Sequence, residues 1–260
     1  MKSIKISILL FAIAIIGLNV KAVATDLNDF TSKTDAFLKA NVNYGYVKYG
    51  QLKKYPATLN SLTEKVASLN VEALTGDEQK AALINIYNLF VIKGIVDNYP
   101  TNSPKDIPGF FSNKKHNIGG KLVSLDDIEK TMLMSKYNDA RLHFVLNCAA
   151  NGCPSLASEA YNSASLNTQL DTRTRKIINS SRFIKLNSKG AEISELFKWY
   201  EADFVKNGQS VIDFINMYRI NPLKNSSNIT YYTYDWKLNE IKSLKSRSGA
   251  KSVRKINKKK

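Results

Sequence analysis

The chain has 260 residues, 43% of them hydrophobic, and a formal net charge of +16. This hydrophobic content suffices for the core of one domain. Three Lys residues precede residue 22 and nine Lys or Arg residues follow Glu240; neither segment carries an acidic residue, so residues 22–240 hold only +4. A nucleic-acid-binding protein usually clusters its basic residues on folded elements, so this distribution argues against a specific nucleic-acid partner.

The first 24 residues predict a secretory signal peptide. Lysines open it, an apolar run from Ile6 to Leu18 follows, and Ala22 and Ala24 supply the small residues that precede cleavage. The run is shorter than the about 20 apolar residues that a membrane-spanning helix needs. We therefore expect a periplasmic or secreted protein whose mature form has no transmembrane segment.

Residues 241–260 predict a basic, disordered tail, because they combine Lys and Arg with Ser, Gly and few apolar residues. The charge of this tail favours binding to an anionic surface of the cell envelope. The alternative is a solvated tail with no dedicated partner. Residues 25–240 are then the folded domain.

The first half of this domain predicts helices around one short extended segment, from the spacing of its apolar residues. The extended segment covers 42–50, and the helices cover Asp26–Ala40, Ala57–Leu69 and Asp77–Asn98.

The longest of these helices, Asp77–Asn98, begins at a capping box formed by Thr75 and Glu78. Its apolar residues lie on nearly every side, which indicates a buried helix. Asn85 and Asn88 lie one turn apart on it, and a buried amide needs hydrogen-bond partners. These two amides therefore either bind loop backbone or orient a catalytic group.

The second half predicts short helices and strands. They are a hairpin at Gly119–Gly120, a helix Ser124–Lys136, a buried strand Arg141–Asn147, a helix Ser165–Ser180, a hairpin of Phe183–Leu186 and Ala191–Ile193, helices Ser194–Phe204 and Ser210–Tyr218, and a strand Asn228–Tyr234. The whole predicts an α+β fold, a helix-rich single domain with a small, mostly antiparallel sheet.

Five blocks of sequence have a distinctive order and spacing. They are ALINIYNLFVI at 82–92, GGKLVSLDDIE at 119–129, HFVLNCAANGCPSL at 143–156, ELFKWYEADF at 195–204 and YTYDWKLN at 232–239. Together they resemble the DUF547 family, a domain of unknown function found in secreted bacterial proteins and some plant proteins, over roughly residues 42–240. The resemblance implies a papain- or transglutaminase-like cysteine hydrolase.

Carried over by position, the family motifs imply a functional centre drawn from four of these blocks. Its members are Asn85, Asn88, Glu129, His143, Asn147, Cys148, Cys153, Pro154, Trp199 and Asp203. One position departs from the family, which often has a His directly after the Glu where this chain has Lys130. If that His were the catalytic base, this chain would be impaired; if His143 is the base, nothing is lost.

The block at 143–156 holds both cysteines of the chain. Side chains alternate along a strand, so His143 and Asn147 would face one way and Cys148 the other. Cys153 lies beyond a turn and would return over the His143 face. Pro154 suits the first position of a helix, which would place Cys153 at a helix N-terminus, where the dipole favours a thiolate.

This pattern predicts a thiol-dependent hydrolase or acyl transferase that acts on amide or peptide substrates, with Cys153 as nucleophile and His143 as base. A third residue usually orients the His, and Glu129, Asn85 and Asp203 are the candidates. The sequence contains no recognised cofactor or metal motif, so we expect no cofactor and no metal.

The alternative is a Cys148–Cys153 disulfide in a non-catalytic binding or structural domain. Exported proteins meet oxidising conditions, so pairing is the default for two cysteines in such a protein. A loop this short would stabilise the fold by about 2 kcal/mol. The spacing C-x4-C disfavours a redox enzyme, whose motif is C-x-x-C.

Overall fold

The computed structural model describes residues 25–206, 208–224 and 226–241; the predicted signal peptide and nearly all of the predicted tail lie outside them. Helices dominate the described fold. The α-helices are α1, 25–41; α2, Tyr49–Lys54; α3, Ala57–Val66; α4, Gly76–Asp97; α5, Leu166–Ile178; α6, Leu196–Trp199; α7, Glu201–Phe204; and α8, Val211–Tyr218. A π-helix covers Asp127–Ser135, and 3₁₀ turns cover Val71–Ala73, Pro104–Asp106, Ala140–Phe144 and Ser163–Ser165.

The described strands are short and form separate small sheets. They are β1, Val42–Asn43; β2, Tyr46–Val47; β3, His116–Ile118; β4, Lys121–Val123; β5, Ile184–Asn187; β6, Gly190–Ser194; and β7, Asn228–Tyr232. The pairs β1–β2, β3–β4 and β5–β6 are antiparallel, and β7 joins β6 in parallel. The predicted α+β class with mostly antiparallel pairing is confirmed, whereas the papain- or transglutaminase-like architecture and the domain limits 25–240 stay predictions.

Helix α4 is the centre of the main core, as its sequence predicts. Every residue from Gln79 to Ile92 is buried. The predicted start is correct, but Thr75 makes no side-chain cap, so the capping box is wrong. Despite this apolar helix, none of the helices in the described ranges is both long and apolar enough to cross a membrane.

The segment 140–146 lies between two hydrophobic cores. Leu142, Val145 and Leu146 pack into the core around α4, whereas Ala140 and Phe144 pack into a second core built from α5–α8, β5 and β6. This division of neighbouring side chains leaves His143 at the boundary between the two cores. The predicted site residue His143 is therefore held from both sides.

The predicted strand Arg141–Asn147 is wrong, because its first half is the 3₁₀ turn Ala140–Phe144. Asp139 starts this turn by accepting a hydrogen bond from the backbone N–H of Arg141 at 3.1 Å. A short apolar run has the same appearance in a strand and in a buried turn. The prediction that His143 and Cys148 face opposite ways, which rested on the alternation of side chains along a strand, is consequently wrong.

The predicted helix after Pro154 is also absent, so Cys153 does not lie at a helix N-terminus. Side chains from elsewhere bind the backbone of this segment. The Pro154 carbonyl accepts from the amide of Asn147 at 2.9 Å, and the Tyr161 backbone pairs with Asn85. The backbone groups that would have formed a helix are thus satisfied by other partners.

The remaining differences are local. The segment predicted as extended over 42–50 is the β1–β2 hairpin followed by the start of α2. Gly45 turns this hairpin at φ +85° and lies so close to Ser155 that a Cβ at position 45 would be 2.5 Å from the Ser155 Cβ. The predicted helix Ser194–Phe204 is divided into α6 and α7 at Tyr200.

A buried ion-pair cluster anchors the start of the 3₁₀ turn. Asp139 pairs with Lys80 of α4 and, at 2.8 Å, with Arg141. Burial alone would raise the pKa of Asp139, but hydrogen bonds from Arg141 and Lys80 lower it to about 2. The carboxylate therefore stabilises the fold at neutral pH.

We expect Asp139→Asn to lower the free energy of unfolding by about 3 kcal/mol at pH 7, because it leaves Lys80 buried without its partner. The stabilisation is complete above the unfolded pKa of about 3.9 and is lost as the pH falls through about 2. Urea unfolding between pH 2 and 7 measures both effects. Asp171→Asn, which removes only an exposed partner of Arg141, is the matched control, and an equal loss in both variants would contradict the argument.

Candidate active site

A cavity of about 340 Å³ brings together several of the residues predicted from the sequence. Its wall includes Glu129, His143, Cys148 and Cys153. Aromatic side chains form much of the rest: Tyr87, Phe111, Trp199, Tyr200, Tyr234 and Trp236. A second cavity, of about 470 Å³, is also lined by Cys153, so this residue contributes to the walls of both.

The two cysteines are in direct contact as free thiols. Their Sγ atoms lie 2.7 Å apart, and the backbone N–H of Cys148 donates to the Cys153 sulfur at 2.9 Å. The hydroxyl of Tyr234 lies 3.2 Å from the Cys148 Sγ. Cys153 is buried, whereas Cys148 is partly exposed.

The surroundings favour a thiolate on Cys148 and a neutral thiol on Cys153. Burial alone would raise the pKa of Cys148, but hydrogen bonds from Cys153, Tyr234 and the backbone of Ala150 outweigh it and lower the pKa. Burial raises the pKa of Cys153 well above its usual range, and the neighbouring Cys148 adds to the effect. Because the thiolate is the nucleophile, this favours Cys148 over the predicted Cys153.

The backbone directly after Cys148 is strained. Ala149 has φ +63°, in the left-handed region that residues with a Cβ avoid. Its N–H donates to the side-chain oxygen of Asn147 at 2.9 Å, and its carbonyl accepts from the N–H of Asn239 at 2.9 Å. Such conformations cost about 1–3 kcal/mol and persist where neighbours fix them, often at active sites.

Buried amides fix the rest of this turn. Asn88 on α4 donates to the Val145 carbonyl at 3.0 Å and accepts from the Asn147 N–H at 2.9 Å. Asn147 also binds the amide of Asn239 at 3.1 Å. The structure thus supports the prediction that Asn88 binds loop backbone.

Asn85 makes the same kind of contact further along the chain. Its amide donates to the Tyr161 carbonyl at 2.8 Å and accepts from the Tyr161 N–H at 2.9 Å. Asn85 is not among the residues that line the cavity. The structure therefore does not bring this predicted catalytic residue to His143.

Asp203 is the candidate that contacts His143. Its Oδ2 lies 2.8 Å from His143 Nε2. This hydrogen bond lowers the pKa of Asp203 against the opposing effect of burial, so the carboxylate stays ionised. The His143 ring also packs on Tyr200, with ring centroids 4.3 Å apart.

Glu129 lies in the same cavity but has other partners. The Tyr87 hydroxyl donates to it at 2.8 Å and the Tyr200 hydroxyl at 3.3 Å. It is carried by the π-helix, a geometry that is frequent at functional sites. Of the three candidates for orienting His143, Asp203 alone makes the hydrogen bond.

Several aromatic residues of the site could not be identified from the sequence. They are Tyr87, Tyr200, Tyr234 and Trp236, and aromatic residues in apolar blocks more often belong to the core. A signal was present in YTYDW, where Tyr234 and Trp236 alternate with polar residues. In the part of the chain that the structure describes, no group of three or more His, Cys, Asp or Glu is arranged to hold a metal ion.

A family model described as "Protein of unknown function, DUF547" matches residues 71–178. This segment belongs to the DUF547 family. Comparisons with curated proteins and with solved structures gave no match. The DUF547 match is shorter than the resemblance over 42–240, which stays a prediction for 42–70 and 179–240.

The DUF547 segment contains both thiols, His143, Glu129 and the amides of Asn85, Asn88 and Asn147. The partner of His143, Asp203, lies beyond it, as do Tyr234 and Trp236. The site of this chain is therefore completed by residues from outside the matched segment.

We expect Asn88→Ala to lower the free energy of unfolding by about 3 kcal/mol, because it leaves buried groups of Val145 and Asn147 without partners. Chemical denaturation monitored by circular dichroism measures the change. The matched control is Asn98→Ala at the C-terminal end of the same helix, since Asn98 is exposed and its side chain binds the Gly94 carbonyl alone among the described residues. A loss within about 0.5 kcal/mol is expected for this control. Equal losses would show that Asn88 has no special role.

Proposed function

We propose that this protein is a thiol-dependent hydrolase or acyl transferase that acts on amide or peptide bonds in the cell envelope. The observation that carries the proposal is the shared cavity of a half-buried Cys148, whose pKa is lowered, and His143, which is hydrogen-bonded to Asp203 outside the cavity wall. The envelope location is proposed from the predicted signal peptide alone. The predicted basic tail would hold the protein at an anionic surface there.

The proposed nucleophile is Cys148, with His143 as the acid and base. The Cys148 thiolate attacks the carbonyl carbon, forming a C–S bond and an oxyanion. The C–N bond then breaks, and the leaving amine takes from His143 the proton that its imidazole accepted when the Cys148 thiol ionised. Because Nε2 of His143 contacts Asp203, Nδ1 is the nitrogen that would exchange this proton.

The second half of the reaction releases the acyl group. Neutral His143 takes a proton from water, or from an acceptor nucleophile in a transfer reaction, as that group attacks the thioester carbonyl. The C–S bond breaks and restores the Cys148 thiolate, while the acyl group leaves as an acid or as the acceptor's ester or amide. Tyr234 and Cys153 would stabilise the returning negative charge on sulfur.

A Cys148–Cys153 disulfide in a non-catalytic domain is the second candidate. The Sγ–Sγ distance of 2.7 Å favours it, because small movements would reach the S–S bond length of about 2.05 Å. In that state Cys148 would have no free thiolate. The two candidates therefore differ in the number of titratable thiols.

Alkylation of the mature protein by iodoacetamide, followed by intact mass, distinguishes these candidates. We expect rapid labelling of Cys148 at neutral pH without prior reduction, and no rapid label in Cys148→Ser. Cys153→Ala should raise the pKa of Cys148 and slow labelling at pH 7, because it removes a hydrogen-bond donor. Cys153→Ser, which keeps a donor, is the matched control. Labelling that appears only after reduction would favour the disulfide.

Turnover of p-nitrophenyl acetate tests the acyl-enzyme step. We expect a burst of about one equivalent of p-nitrophenol followed by slower release, because acylation of Cys148 precedes hydrolysis. Asp203→Asn should lower the rate by roughly a hundredfold, since general-base assistance by His143 depends on its orientation. Asp213→Asn, at the start of α8, should leave the rate unchanged. A burst that persists in Cys148→Ser would refute the assignment.

A further inference from the structure

Glu129 presents a negative charge to an aromatic cavity without a basic partner. Its carboxylate accepts hydrogen bonds from Tyr87 and Tyr200 only. No Lys or Arg of the described ranges forms an ion pair with it; Lys130, which also lines the cavity, pairs instead with Asp126 of the same wall at 3.1 Å. Burial, together with the charge of Glu129, raises the pKa of both tyrosines, so their hydroxyls stay protonated and donate.

Aromatic rings form the wall of the same cavity. The Tyr234 ring lies 4.9 Å from both Trp199 and Trp236, and the two tryptophans are stacked at 6.0 Å. Trp199 is 47% exposed, which is unusual for so large an apolar side chain. Aromatic faces attract an ammonium group through the ring quadrupole.

The charge of Glu129 also acts on the thiol. It raises the pKa of Cys148 and so opposes the hydrogen bonds that favour the thiolate. A cation bound beside Glu129 would neutralise this repulsion. The carboxylate would then recognise the substrate and, once occupied, no longer disfavour the nucleophile.

We propose that the cavity binds a substrate through an ammonium group held by the Glu129 carboxylate and the aromatic wall of Trp199, Tyr200, Tyr234 and Trp236. The inference deepens the proposed function, on which it rests for the identity of the bond that is cleaved. It assigns the substrate class: an amide or peptide that carries a primary ammonium group, as on a lysine side chain or an amino terminus.

The two tryptophans of the chain, Trp199 and Trp236, both line this cavity. Intrinsic tryptophan fluorescence therefore reports on the site directly. We would titrate the full chain with n-butylammonium chloride and, separately, with its neutral isostere 1-butanol, at constant ionic strength. The expected result is a saturable change with the ammonium compound and none with the alcohol.

Glu129→Gln should weaken n-butylammonium binding by about tenfold, because it removes the charge and keeps the shape. Glu72→Gln removes an exposed carboxylate that is absent from the cavity wall, and should leave binding unchanged. Trp199→Leu should also weaken binding, which is then measured from the fluorescence of Trp236. Because Trp199 is partly exposed, we expect this variant to fold. This variant keeps the test valid if Glu129→Gln fails to fold.

Equal responses to 1-butanol and n-butylammonium, or binding unaffected by both Glu129→Gln and Trp199→Leu, would overturn the inference. Iodoacetamide labelling of Cys148 in the same samples separates it from the proposed function. Ammonium binding beside an unreactive thiol would uphold the cation site and refute the hydrolase. A reactive thiol without ammonium binding would uphold the hydrolase and refute the cation site.

Discussion

The hydrogen bond from the backbone N–H of Asn147 to the side-chain oxygen of Asn88 underlies the geometry of the cysteine turn. Asn88 is fixed on the most buried helix of the fold, and Asn147 immediately precedes Cys148. Asn147 in turn holds the backbone N–H of Ala149 and the carbonyl of Pro154. A left-handed alanine is tolerable only with such partners, since nothing in its own side chain favours that conformation.

The position of the site between two cores follows from the same segment. In the 3₁₀ turn Ala140–Phe144, Leu142 packs into the core around α4 and Phe144 packs into the core around α5–α8. Asp203 belongs to the second core region and Glu129 to an element that packs on α4. His143 therefore contacts Asp203, 60 residues further along the chain, and shares its cavity with Glu129.

Much of the fold could be predicted because its signals are local. The burial of α4 follows from apolar residues on every side, and the β3–β4 hairpin from the pair Gly119–Gly120. The block at 143–156 indicated where the thiols and His143 lie. The strand assigned to 141–147 failed because a short apolar run does not distinguish a strand from a 3₁₀ turn.

Which of the two cysteines has the lower pKa could not be predicted from the sequence, for a different reason. It depends on Tyr234, 86 residues further along, whose hydroxyl meets Cys148 rather than Cys153 in the closest contact. It also depends on the hydrogen bond from the backbone of Ala150 to Cys148, which follows the left-handed Ala149 and could not be predicted from the residue types. Asp203, by contrast, was among the candidates, and only its contact with His143 required the structure.

Hydrogen bonds join residues 234–241 to much earlier parts of the chain, and this has a consequence for the order of folding. Asn239 makes hydrogen bonds to Gly45, β2, Tyr49, Asn147 and Ala149, and the contact with Gly45 spans 194 residues. Contacts of such long range form late, because loop closure must precede them. During synthesis, Cys148 would thus exist for some time without Tyr234 beside it, as an ordinary thiol. The hydrogen bond from Tyr234 that lowers the pKa of Cys148 would form only on completion of the tertiary fold.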